Sequence, residues 1–357
     1  MESASQPIHA GSGLDLRGSS SGSLPSWGTW AAVGGSAAVA AAILLATGAF
    51  TVALTLVFGA LLSAVVLYTW SRAVEGPRRA KDRVMTLAIA CAFGLAMIPL
   101  FSLILEVAKR GIPGLSLEFF TEDARGVVGG GGAAHAIVGT LIITAVAAAI
   151  SVPIGIMAAI YLNEYGTGRL RRALTFFVDV MTGIPSIVAG LFAYALFALF
   201  LGPGIRLGAM GSVALSVLMI PIVIRSAEEV LKIVPNHLRE AAYALGTPKW
   251  KTITKVVLPT AFAGLITGVM IAVARIVGET APLLVTTGVV DSMNTDPFNG
   301  RMQNLAVYAY NEYRSPGVMK QASYDRAWAA ALTLIAIVML LNIAARWVYR
   351  RYKTEIH

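Results

Sequence analysis

The chain has 357 residues, 57% of them hydrophobic and only 13% charged, and its mean hydropathy is +0.73. Soluble domains carry about a quarter charged residues, so the composition excludes an ordinary soluble domain and marks an integral membrane protein. The net charge of +9 gathers in particular loops and does not argue for nucleic acid.

Residues 1–28 are rich in Ser and Gly, with Ser19, Ser20, Ser21 and Ser23 close together. They lack the apolar content to fold alone. No basic region leads directly into a short apolar core, so they do not resemble a cleavable signal peptide. They read as a disordered cytoplasmic tail.

A spanning helix needs about 20 mostly apolar residues. Such runs fall at 29–48, 51–71, 84–105, 136–162, 173–200, 209–226, 260–288 and 327–348. Thr47 and Gly48 separate the first two only weakly, so one span fewer is an alternative; the reading taken is eight. Cys91, the single cysteine, lies in the third run and reads as a core thiol. It offers neither a disulfide nor a cysteine metal cluster.

Lys and Arg set the orientation. One set of loops holds Arg72, Arg78, Arg79, Lys81 and Arg83, then Arg169, Arg171 and Arg172, then the basic residues of 225–255, then Arg346, Arg350, Arg351 and Lys353. The opposite set is sparser. The richer side is expected to be cytoplasmic, with both termini on it. The far side carries two longer segments, 106–135 and 289–326. Gly129 to Gly132 in the first have no following Lys-Ser or Lys-Thr and read as a flexible linker. His135 and His237 are isolated and read as loop residues.

The loop from Arg225 to Pro259 reads as two short helices. Asn236 after Pro235 is placed to cap the first. Leu238, Ala242 and Leu245 form its apolar stripe, and Gly246 ends it. Thr247-Pro248 opens the second, with a capping hydroxyl and a proline at the first position. Trp250, Ile253 and Val257 give that helix its apolar face. On periodicity alone the pair reads equally well as an interfacial helix on the headgroups.

Arg275 and Glu279 lie inside the seventh run, four apart, and share a face if the helix is continuous. Each costs roughly 3 kcal/mol at a helix centre on insertion scales. Pro282 has no N–H for the carbonyl of Gly278, so a kink or opening is expected beside the pair. Thr280 adds a hydroxyl there. The pair reads either as a structural ion pair or as an anion path. In the second reading Arg275 lowers the barrier to an anion and Glu279 keeps Arg275 oriented. Asp179, near a helix start, reads as an interface or helix-end carboxylate.

Glu240-Ala241-Ala242, then Gly246, then Leu258-Pro259 resemble the EAA motif of type I ABC importer permeases, with Val256 where Ile is usual. Ala274-Arg275 and Gly278-Glu279-Thr280-Ala281-Pro282-Leu283 resemble the PstA family of phosphate-importer permeases. Ala281-Pro282 favours that family over the sister PstC family. Ala136–Leu141, Pro153–Ile156, Tyr161–Tyr165 and Gly183–Leu191 also resemble it, so the likeness covers about 84–350.

The resemblance implies an all-α membrane bundle of the MetI-like type I permease fold. The family usually has six spans, so the hairpin is an addition. The implied division is the tail 1–28, an extra hairpin and basic loop at 29–83, and a permease domain at 84–357. The transmembrane core covers about 135–348 and the EAA loop about 226–259.

The resemblance also implies a permease subunit of an ATP-driven phosphate importer in the bacterial cell (inner) membrane. Its partners are a PstC-like permease, a PstB-like ATPase and a PstS-like phosphate-binding protein. Glu240, Ala241, Ala242 and Gly246 dock the ATPase; Arg275, Glu279 and Thr280 line the path. No Walker A sequence occurs, so no ATP or other cofactor is expected on this chain, which is no enzyme. The competing readings are a permease for another oxyanion such as molybdate or sulfate, an ion-coupled secondary transporter, and a membrane-embedded enzyme. The last lacks a nucleophile–base or metal constellation.

Overall fold

The computed structural model describes residues 23–25, 27–125 and 131–352. The tail reading for residues 1–22 and 26, the linker reading for Gly129 and Gly130, and Lys353 lie outside them. No strand occurs among the described residues. The chain falls into two compact units dividing at Leu103 and Ile104.

The first unit holds α1 (Gly28–Ala46), α2 (Val52–Val74) and the larger part of α3 (Pro77–Gly111). Ala32, Ser36, Ala40 and Leu44 are buried on α1, and Gly59, Ser63, Leu67 and Ser71 on α2. Both stripes repeat every four residues. Small residues at that spacing let two helices approach closely in lipid, and the two helices pack as a hairpin. Leu24 is also buried, its N–H donating to Glu75 Oε1 at 2.8 Å, so this end of the tail is anchored. Cys91 is exposed rather than in a core; its neighbours along α3 are almost all exposed apolar residues, the pattern of a helix facing lipid.

The second unit begins with the end of α3 and a tight turn at Ile112–Gly114. Then come α4 (Leu117–Thr121), α5 (Ala134–Ile160), α6 (Gly168–Thr182), α7 (Ser186–Leu201) and α8 (Gly208–Ile233). There follow α9 (Asn236–Ala244), α10 (Lys249–Thr252), α11 (Leu258–Val277) and α12 (Ala281–Thr286). Helices α13 (Leu305–Arg314) and α14 (Lys320–Tyr352) close the chain. Wide π-type turns, Tyr161–Tyr165 and Ile253–Val257, extend α5 and join α10 to α11.

Among the described residues seven helices are long and apolar enough to cross a membrane, or eight if one bent pair is a single span. That pair corrects the straight span expected at 173–200. Helices α6 and α7 meet at 108°, because Pro185 supplies no N–H and drives Ile184 out of helical geometry. The span expected at 209–226 runs on to Ile233. The one expected at 260–288 stops at Val277 and resumes at Ala281.

Helices α5 and α8 form the centre. Ser212 Oγ donates to the Ile143 carbonyl at 3.1 Å and Ser216 Oγ to that of Ala147 at 3.3 Å. Ile143, Met219, Ile276 and Leu283 are buried together between α5, α8, α11 and α12. His135 is no loop residue: it is the second residue of α5, 2% exposed, with its ring 5.5 Å from that of Tyr308. Gly131 and Gly132 of the expected linker are packed. A Cβ on Gly132 would meet the Glu118 carbonyl oxygen at 2.3 Å.

Candidate functional site

At one end of the second unit stands α9. Asn236 is its first helical residue, and its side chain caps nothing; Oδ1 accepts from Arg239 Nη1 at 3.2 Å instead. The C-terminus closes as the glycine predicts. Gly246 has φ +72, its N–H donates to the Tyr243 carbonyl at 2.9 Å, and the Thr247 N–H donates to that of Ala242 at 3.1 Å. This is the Schellman pattern, which requires a left-handed residue at that position. The Thr247 hydroxyl caps nothing. Pro248 precedes α10, and its carbonyl accepts from Lys251 and Thr252.

The apolar stripes are narrower than expected. Ala242, Ile253 and Val257 are buried, but Leu245 is 85% and Trp250 62% exposed. Both belong to an outward face that also carries Glu240, Ala241, Tyr243 and Gly246. His237 lies exposed on α9. With small residues at its middle and an acid at one edge, this face can enter a groove on another protein.

Arg239 ties α9 to the bundle. It donates to Glu164 Oε1 at 2.9 Å, and to the carbonyls of Val234 at 2.6 Å and Leu231 at 3.0 Å. The free carbonyls at the end of α8 are thus satisfied by a cation.

Deeper in the unit, α11 ends at Val277 with Gly278 as its cap. Arg275 in its last turn is exposed; Glu279 and Thr280 in the break are half-buried. The expected shared face is lost, because four-residue spacing places side chains together only on an unbroken helix. No ion pair joins Arg275 to Glu279 among the described residues. The break itself is where Pro282 demands it. The close approach of α7 requires Gly190: a Cβ there would lie 2.7 Å from Pro282 Cα.

The sequence reading missed a chain of charges on α8. Glu228, 7% exposed, lies 3.0 Å from Arg225 and 2.9 Å from Lys232. Arg225 also pairs with Asp179 of α6, giving that carboxylate its interface role. The signal was available in the three- and four-residue spacing of Arg225, Glu228 and Lys232.

A model of the family described as "Binding-protein-dependent transport system inner membrane component" matches residues 151–354. The phosphate transport system permease protein PstA 1 of Mycobacterium tuberculosis (strain H37Rv) is 46% identical over 272 residues, covering 75% of this chain and 87% of the relative. This chain belongs to the PstA family of ABC-importer permeases. The Pasteurella multocida PstA is 41% identical over 75% of this chain and 94% of its own length. Among solved structures, a bacterial alginate ABC transporter in complex with its periplasmic protein superposes with a TM-score of 0.56. It does so at 15% identity, over 77% of this chain and 96% of that one. That likeness shows the fold: among the described residues the chain is an all-α bundle of the kind found in ABC transporters, and the helical hairpin α1–α2 lies N-terminal in it.

Proposed function

We propose that the chain is the transmembrane permease subunit of an ATP-driven phosphate importer. It shares its translocation path with a PstC-like permease and is driven by a separate PstB-like ATPase. A PstS-like protein delivers phosphate from outside. The α9 end faces the cytoplasm together with both chain termini, and the bundle lies in a bacterial cell membrane. The permease domain covers 84–357, its EAA loop 226–259.

One arrangement carries this reading. An exposed helix with Glu240, Ala241 and Gly246 on its outer face is fastened through Arg239 to two spanning helices. A face that only lay on headgroups needs no such rigid linkage; a lever does. Ala242 is buried on the inner side of α9. Arg275 and Glu279, without an ion pair among the described residues and set at a helix break, then line the path. Their insertion cost is retained because each meets the anion or the second permease, and irregular backbone is tolerated where it borders a cavity.

Vesicles containing this chain with its companion permease and ATPase, supplied with loaded binding protein and ATP, are expected to accumulate radiolabelled orthophosphate. ATP hydrolysis without accumulation overturns the proposal. Accumulation of molybdate or sulfate in place of phosphate establishes the other-oxyanion reading instead.

A further inference from the structure

At the end of the second unit opposite α9, three segments are laced together by backbone hydrogen bonds. The Leu207 N–H donates to the Thr286 carbonyl at 3.2 Å, the Met302 N–H to that of Thr287 at 3.4 Å, and the Ala209 N–H to that of Pro297 at 2.7 Å. Arg206 and Arg301 each sit one residue from such a bond. Both side chains run over Gly288, whose φ is +74. A Cβ there would meet Arg206 Cδ at 2.9 Å and Arg301 Cδ at 3.3 Å. Glycine therefore serves both the left-handed backbone and the close approach of two arginine stems.

Two like charges brought together repel. Neither arginine has an ion pair or a side-chain hydrogen bond among the described residues. Among the described residues no acid lies within ion-pair distance of either arginine. Asp123 accepts from the N–H groups of Met293 and Arg125, and Asp296 from that of Phe298.

We infer that Arg206 and Arg301 form an oxyanion-receiving station at the outer mouth of the path, a site separate from Arg275 and Glu279. This rests on the importer reading above. Helix α12 separates the two places, about 9 Å at 1.5 Å per residue. Guanidinium forks match a tetrahedral oxyanion bidentately, and an anion between them relieves their repulsion. Arg301 is exposed and Arg206 half-buried, so water screens the site enough to release the ion inward.

The test uses the reconstituted complex with loaded binding protein outside. Arg206→Gln with Arg301→Gln is expected to lower the initial rate of orthophosphate uptake about tenfold and to flatten its dependence on ionic strength, as loss of steering does. ATPase stimulation and affinity for the binding protein stay at the parent level. Arg206→Lys with Arg301→Lys keeps the charge and most of the rate. If the double Gln variant fails to assemble, each single Gln variant is expected to lose about threefold on the same grounds.

Parent-like uptake by the Gln variants sinks the inference alone. So does a loss matched by weaker binding-protein affinity, because the pair would then be gripping carboxylates of that protein. A parent complex that moves no phosphate sinks the function on which the inference rests.

Discussion

Arg239 Nη2 lies 2.9 Å from Glu164 Oε1, and the two side chains are only 13% and 6% exposed. Through that contact the outward helix α9 is joined to the wide turn at the end of α5. Asn163 Nδ2 also donates to the same oxygen at 2.8 Å. Breaking a buried pair by removing one partner costs about 3–5 kcal/mol. Arg239→Ala is therefore expected to let α9 rock without moving α5 or α8. Uptake per ATP hydrolysed falls by about tenfold or more on that energy scale, while the ATPase still binds. Arg239→Lys, which keeps a cation for the same oxygens, is expected to retain part of the ratio. A parent-like transport-to-hydrolysis ratio in Arg239→Ala would rule out the linkage.

Arg275 lies in the last turn of α11 and forms no ion pair among the described residues, so no salt bridge there holds its charge. Arg275→Gln is expected to abolish phosphate uptake while the complex still assembles, as read by co-purification of the companion subunits. Glu279→Gln is expected to leave assembly intact as well. Because no ion pair joins the two, a double-mutant cycle on complex stability is expected to show coupling under about 0.5 kcal/mol. A larger coupling restores the structural ion-pair reading.

What the sequence made legible follows a physical line. Gly246 and Pro282 act through their own backbones, so the end of α9 and the break after α11 could be placed from residue type alone. The work of Arg239 could not, because Glu164 lies 75 residues away and nothing local announces it. The corner between α6 and α7 was hidden because an apolar run looks the same straight or bent; only Gly183 and Pro185 mark it. His135 looked like an isolated loop residue for the same reason. Its burial beside Tyr308 comes from α13, which chain order places far downstream.

Gly246 offers a graded test of the docking helix. A residue held at φ +72 costs an ordinary L residue about 1–2 kcal/mol, and Asn less. Gly246→Val is expected to unravel the end of α9 and release the ATPase, whereas Gly246→Asn retains most of the coupling. Glu240→Lys reverses a charge on an intact helix, so it lowers ATPase affinity without loosening α9. Limited proteolysis near residue 246 separates the two effects. Full ATPase binding by both Gly246→Val and Glu240→Lys would remove α9 from the docking role.

Glu75 gives a pH signature confined to the N-terminal unit. Hydrogen bonds from Arg83, aided by Leu24 N–H and the Ser71 hydroxyl, hold its carboxyl at about 2, below an ordinary 4.5, although burial opposes the shift. A lowered value means that the folded state favours the carboxylate. Its contribution is thus complete above pH 4.5 and is lost as pH falls toward 2. Thermal unfolding of the detergent-solubilised chain is expected to show a loss across that window that Glu75→Gln removes, leaving a variant less stable at neutral pH but flatter in acid. Parallel acid curves for the parent and the variant would mean that the ion pair with Arg83 does not hold the hairpin to Leu24.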